Sequence, residues 1–147
     1  MKDKNESQKY GFGEPSTRYY PHHMIHSSKM TDEERVPFAA ELSVSSLQRS
    51  LDFYVSLGFE VYRIHEETNF AVLTLGESLL MVWQDPVDGP RGLGVGLRFY
   101  VGEGLRAFYD NAILKDVAIT QPYTEAEYGI DEFYIEDPDG YRVRFCG

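Results

Sequence analysis

The chain has one cysteine, Cys146, in 147 residues, so a single copy can form neither an internal disulfide nor a cysteine-based metal cluster. Cations are also in short supply. Lys and Arg number 14 against 24 Asp and Glu, a formal net charge of −10. Such a chain has little with which to displace the counterions around phosphates, which argues against nucleic acid as a partner. The same charge favours solubility and draws a cationic small molecule from a distance, although a solvated acidic surface would produce it too. No apolar run approaches the roughly 20 residues that cross a bilayer, and the polar N-terminus is unlike a signal peptide. The expectation is a cytoplasmic protein with no membrane partner. Histidine is scarce: His22, His23 and His26 sit in a polar tail, and His65 alone lies beyond it. No nucleophile has a plausible base near it in sequence, and Cys146 has no visible histidine partner. The glycines of 92–96 neither follow a strand nor open a helix, so they make no phosphate loop.

What is present suffices for one domain. The 42% hydrophobic and 14% aromatic content can fill a core of ordinary size and leave aromatic surface over. Residues 1–36 show no sustained apolar period and read as a flexible extension without a core of its own. Within it, Met30-Thr31-Asp32-Glu33-Glu34 resembles a natural start, which would make the first 29 residues an added leader. From Phe38 the pattern is regular. Residues 38–44 alternate as a strand, Ser45 and Gln48 form a candidate capping box, and Leu47, Leu51, Tyr54 and Leu57 share one helical face ended by Gly58. Strands are expected at 59–64, 69–75 and 78–84, then a breaker-rich linker over 85–90. The order repeats as a strand at 95–101, a helix at 103–114, and strands near 117–120, 131–136 and 141–146. Residues 37–147 thus form one domain of two modules, about 37–84 and 95–147, duplicated in architecture though hardly in residues.

Successive strand side chains point to opposite faces, so the strands can be sorted. Ala40, Leu42, Val44, Leu80, Val82, Val95, Leu97, Phe99, Val101, Val143 and Phe145 belong to the helix-covered face. The opposite face then carries Glu41, Phe70, Val72, Met81, Trp83, Arg98, Tyr100, Arg142, Arg144 and Cys146. Large aromatics mixed with a few charges are the composition of a ligand cleft with polar anchors. The same aromatics would also serve to bury against a second copy of the chain. Arg98 and Arg144 would equally serve as partners of Glu41, since an enclosed charge is costly unless paired.

Two segments carry a resemblance. Residues 41–61, ELSVSSLQRSLDFYVSLGFEV, and 136–145, EDPDGYRVRF, are similar to the two halves of a vicinal-oxygen-chelate domain. That superfamily holds glyoxalases, extradiol dioxygenases and bleomycin-resistance proteins, and the likeness spans about 38–147. It implies an α+β fold of two βαβββ modules, forming a curved mixed β-sheet cleft with helices on the convex side. Metal enzymes of the family place a His, Glu or Gln on the first and fourth strand of each module. The resemblance puts those positions at Ala39, Met81, Gly96 and Arg144. Methyl, thioether, hydrogen and guanidinium do not make a ligand set for zinc, nickel or iron. A slip of one residue reaches only apolar neighbours at most of these positions. No metal and no other cofactor is expected.

Members lacking the metal residues include the bleomycin-resistance proteins, acidic dimers that bind a cationic, aromatic-tailed antibiotic. The resemblance therefore implies a homodimeric protein that sequesters a small aromatic or amphipathic molecule, with antibiotics among the candidates. The ligand-binding residues would be Glu41, Phe70, Met81, Trp83, Arg98, Tyr100 and Arg144. Phe70, Trp83 and Tyr100 would stack on planar rings, Glu41 would meet a cation, and the arginines would meet an anion. Bleomycin itself fits poorly, because the arginines would repel a cation locally. Tyr123, Glu125, Glu127 and Tyr128 lie in a loop that could cap a ligand. The alternative is a glyoxalase-like lyase or isomerase, or a dioxygenase, with Glu41 as its acid–base group. An assembly module using the aromatic face to bind protein is a third reading.

Overall fold

The computed structural model describes residues 25–26, 34, 38–65, 68–85, 91–92, 94–125 and 129–147. The chain folds as two compact units divided near residue 88. The first contains β2 (Ala40–Val44), α1 (Leu47–Leu57), β3 (Glu60–His65), β4 (Phe70–Leu75) and β5 (Ser78–Gln84). A short strand, β1 (Ile25–His26), precedes them and pairs in parallel with the outer edge of β3. The second unit contains β6 (Gly96–Tyr100), a 3-10 turn at Gly102–Gly104, α2 (Leu105–Leu114), β7 (Ile119–Glu125), β8 (Asp131–Glu136) and β9 (Arg142–Cys146). This is an α+β fold of two βαβββ modules. The sheet orders, β1-β3-β4-β5-β2 and β6-β9-β8-β7, show the same connectivity in both. In each βαβββ module the first strand pairs in parallel with the last and the module's other neighbours are antiparallel; β1 adds a further parallel pairing at the edge of the first sheet.

Hydrophobic alternation drives both sheets. Leu42, Val44, Val61, Ile64, Ala71, Leu73, Leu80 and Val82 are buried in the first unit, as is the α1 stripe of Leu47, Leu51, Tyr54 and Leu57. The second unit uses rings instead. Phe108 of α2 packs against Phe133 and Phe145 of the sheet, and Tyr109 meets Phe133 edge-on. Such ring pairs add to the stabilisation that burial alone supplies.

Two local features differ from the sequence expectation. The N-cap of α1 is Ser46, not Ser45: the Ser46 Oγ accepts from the Arg49 amide at 3.2 Å. Gln84 Oε1 accepts from the Leu47 amide, and Gln48 turns to Asp52, so there is no capping box. Once β5 supplies an acceptor at the helix start, a reciprocal side chain is not needed. The seventh strand is also longer than expected, running through Pro122. It is the outer strand of its sheet, with register shifts on either side of Gln121, and there a missing proline N–H costs no ladder bond.

The turn before β9 is locked by one carboxylate. Asp137 Oδ1 accepts from the backbone amides of Asp139 and Tyr141, both at 2.9 Å, while the Asp137 amide donates to the Tyr141 carbonyl. Gly140 takes φ +86°, open to a glycine. Gly92 lies so close that a Cβ there would stand 2.7 Å from the Gly140 carbonyl oxygen. Arg91 adds an ion pair with the nearly buried Asp139. Replacing Asp137 with Ala leaves two amides without their acceptor and should lower unfolding free energy by about 1–3 kcal/mol in chemical denaturation. Asp137→Asn, which keeps an acceptor oxygen, should recover most of that loss.

Candidate functional site

Laterally paired residues of neighbouring strands project to the same face, so the registers define each unit's open face. In the first unit one row runs Glu41, Met81, Val72, Arg63, and the next runs Ser43, Trp83, Phe70, His65. Glu41, Phe70, Met81 and Trp83 therefore share a face, as the sequence predicts. Exposure divides them. Met81 and Val72 are buried in the middle, Phe70 is half-buried, and Trp83 and Glu41 are exposed towards the β2 side.

Arg63 joins this face through a break in strand alternation. A register shift between Val61 and Arg63 inserts one residue and turns Arg63 away from the helix side. Its guanidinium, 4% exposed, stands 5.3 Å from the Phe70 ring and takes a two-pronged ion pair from Glu34, itself 2% exposed. The Nε–Oε2 and Nη2–Oε1 distances are 2.9 and 2.6 Å. A residue of the N-terminal extension thus neutralises the buried cation. His65 ends β3 half-buried beside Phe70. Its Nδ1 is in hydrogen-bond contact with Thr68 Oγ1, and its Nε2 is buried with no hydrogen-bond partner among the described residues.

In the second unit the rows are Gly96, Arg142, Glu136, then Arg98, Arg144, Tyr134, then Tyr100, Cys146, Glu132. Arg98, Tyr100 and Arg144 share this face. Arg144 pairs with Glu132, Nε to Oε2 at 2.6 Å, and not with Glu41. Arg142 and Arg144 flank the Tyr134 ring, each guanidinium under 6 Å from its centre. Cys146, expected to be exposed, is buried with its Sγ 3.6 Å from the Phe99 carbonyl oxygen. Val95 falls outside β6 and is exposed, because the strand begins only at Gly96. Tyr123 donates to Asp131 and lies against Tyr109 and Arg106 of α2, so it belongs to the unit's own packing. The hydrogen bond to Asp131, then burial, then the Asp131 charge hold its phenol above the usual tyrosine range, and Arg106 partly offsets them. Glu125 is exposed on β7, and positions 127 and 128 lie outside the described residues, as do 22, 23 and 86–90.

The positions that hold metal in the resembling enzymes do not fit one. Met81 is packed beside Val72, Gly96 brings no side chain, and Arg144 is a cation already paired. Ala39 offers only a methyl. Among the described residues no group of three or more His, Cys, Asp or Glu side chains converges.

Residues 35–145 match the model of the Glyoxalase/Bleomycin resistance protein/Dioxygenase superfamily, and the chain belongs to that family. No curated protein matches it in sequence. Among solved structures it is similar to TioX from Micromonospora sp. ML1, with 18% identity over 76% of this chain and 94% of that one, at a TM-score of 0.63. A bleomycin-binding protein complexed with bleomycin matches at 18% identity over 76% and 97%, with a TM-score of 0.59. A glyoxalase/bleomycin resistance protein/dioxygenase from Alicyclobacillus acidocaldarius matches at 18% over 80% and 93%, with a TM-score of 0.60. Among the described residues no helix is long and apolar enough to cross a membrane.

The Glu34–Arg63 pair yields a stability test. Glu34→Ala strands a buried guanidinium and should cost about 3–5 kcal/mol in denaturant unfolding. The double variant Glu34→Leu/Arg63→Met, which removes both charges, should recover most of the loss.

Proposed function

We propose that this protein binds and sequesters a small aromatic or amphipathic molecule and performs no metal chemistry on it. The observation that carries the reading is the make-up of the open sheet faces. Each joins aromatic surface to charged groups at its accessible positions: Trp83, Phe70 and Glu41 on one, Tyr100, Tyr134, Arg98 and Arg144 on the other. The residues at the family's metal positions supply no donor set, which removes the usual route to turnover. Similarity to a bleomycin-binding protein supports ligand capture as a use of this fold, and antibiotics are candidate ligands. Bleomycin itself suits these faces poorly, because exposed arginines oppose a cation. On this reading the protein acts in the cytoplasm as a homodimer, with Met81 lending apolar surface beneath the ligand.

An enzymatic alternative, a lyase or isomerase, finds better support in His65 than in Glu41. Glu41 is exposed, whereas His65 faces Phe70 with one nitrogen held by Thr68 and the other without a partner among the described residues. That arrangement suits proton transfer.

Trp83 is the chain's only tryptophan, so its fluorescence reports one place. Titration with planar amphiphiles, on protein whose metal content has been measured, should give saturable quenching at one ligand per site. Trp83→Ala should loosen binding about three- to tenfold by calorimetry, the value of one stacking contact. Stoichiometric metal, or conversion of ligand that His65→Gln abolishes while binding persists, would move the protein to the enzymes.

A further inference from the structure

The second unit carries positive charge that its own carboxylates leave unneutralised. Arg144 is satisfied by Glu132. Arg98, directly opposite Arg144 in the parallel β6–β9 pair, is exposed and makes no hydrogen bond or ion pair among the described residues. Like charges directly opposite one another destabilise a sheet. Arg142 is in the same condition: exposed, beside the Tyr134 ring, and without an anion among the described residues. Its register neighbour Glu136 would be the natural partner. Glu136 turns instead towards Gly140, with its Oε1 3.5 Å from where a Cβ on that glycine would stand.

Gly96 decides where the Arg142 head goes. A Cβ at position 96 would lie 3.3 Å from Arg142 Nη2 and within 4 Å of its Nε and Cζ, so the guanidinium rests over the bare backbone of β6. Arg98 follows on the same strand and the same face, two residues or roughly 7 Å further along. Long side chains rooted that close on one face are within reach of a shared oxyanion, and the guanidinium fork matches carboxylate and phosphate geometry. Tyr134 backs the pair from the next strands, and Tyr100, 69% exposed, continues the face beyond Arg98. In a chain of net charge −10, two arginines on one face beside two tyrosines offer cations and rings together.

We infer that Arg98 and Arg142 form an anion subsite, holding the carboxylate or phosphate of a ligand whose planar part lies on Tyr100 and Tyr134. The inference rests on the small-molecule reading above and assigns the ligand its charge: an anionic aromatic acid, not a cationic antibiotic. Gly96 is the positioning residue, since any side chain there takes the space of the Arg142 head.

The test compares three probes of one shape by calorimetry: naphthalene-2-carboxylate, the neutral 2-carboxamide and the cationic naphthylmethylammonium. The carboxylate should bind about tenfold more tightly than the amide, and the ammonium more weakly than both. Its advantage should shrink when salt rises from about 50 to about 300 mM. Arg98→Gln and Arg142→Gln should each remove most of the advantage and leave amide binding unchanged, while Arg49→Gln on the exposed side of α1 should change neither. Naphthyl phosphate in place of the carboxylate then separates the two oxyanions. Equal binding of amide and carboxylate, or arginine variants without effect, would overturn the subsite and leave the binding protein standing. If none of the probes bound, both readings would fall.

Discussion

In each unit the first strand lies parallel beside the last, β2 beside β5 and β6 beside β9, and what the open faces present depends on that pairing. The contact is long-range: 33 residues separate β2 from β5 and 41 separate β6 from β9, so it closes only once the intervening helix, hairpin and turn are in place. It is also what gathers the site. Without it Glu41 has no reason to neighbour Met81, nor Ser43 to neighbour Trp83, and Arg98 would not face Arg144. The devices at the module ends serve the same pairing. Gln84 of β5 supplies the acceptor that starts α1, so the last strand helps to place the helix that follows the first. The Asp137 turn, braced by Arg91 and Gly92, sets where β9 begins and hence its register against β6.

The arginines on the open faces fall into two kinds, and burial separates them. Arg63 is almost fully enclosed and Arg144 largely so, and each has a carboxylate within 3 Å, Glu34 and Glu132 respectively. An enclosed guanidinium without a counter-charge would be among the most destabilising groups a fold can contain. Arg98 and Arg142 are exposed, and water can carry their charge at little cost. The fold does not require them for charge compensation, and their shared place on one sheet face is what the proposed anion subsite rests on. The same distinction applies to the aromatics. Tyr54, Phe133 and Phe145 are wholly buried as core, whereas Trp83 and Tyr100 keep accessible rings on a face that a β-sheet protein ordinarily covers with small polar residues.

Most of the architecture was legible because period-two alternation and turn residues report local facts. Leu42 and Val44, or Leu80 and Val82, announce their face by spacing alone, and Asp137-Pro138-Asp139-Gly140 announces the turn. The failures lie where something non-local intervenes. Counting by twos from Val61 puts Arg63 on the helix side, and only the bulge beside Tyr62 reverses it. Pro122 hides a strand that its outer position tolerates. Ser46 replaces Ser45 as the cap because a distant strand supplies the next acceptor. Glu132, Tyr134 and Glu136 do alternate in sequence, and the period-two rule carried into β8 would have added Tyr134 to the face. Glu34 is different: nothing in a polar extension signals that one carboxylate meets a buried arginine far along the chain.

The fold's metal-using relatives need positive charge at the sheet face, because the ion polarises an oxygen of the substrate. Here the donors are gone, yet positive charge is not. Gly96 stands at one donor position and Arg144 at another, and the space over Gly96 is filled by the head of Arg142. Guanidinium groups can hold an oxyanion through hydrogen bonds in a fixed fork, but they cannot activate water as a bound dication does. Exchanging imidazole and carboxylate for glycine and arginine therefore keeps the capacity to attract an anionic oxygen while removing the Lewis acid that would act on it. On the proposed reading, this face serves recognition, and its selectivity would rest on where two guanidinium heads sit relative to two tyrosine rings.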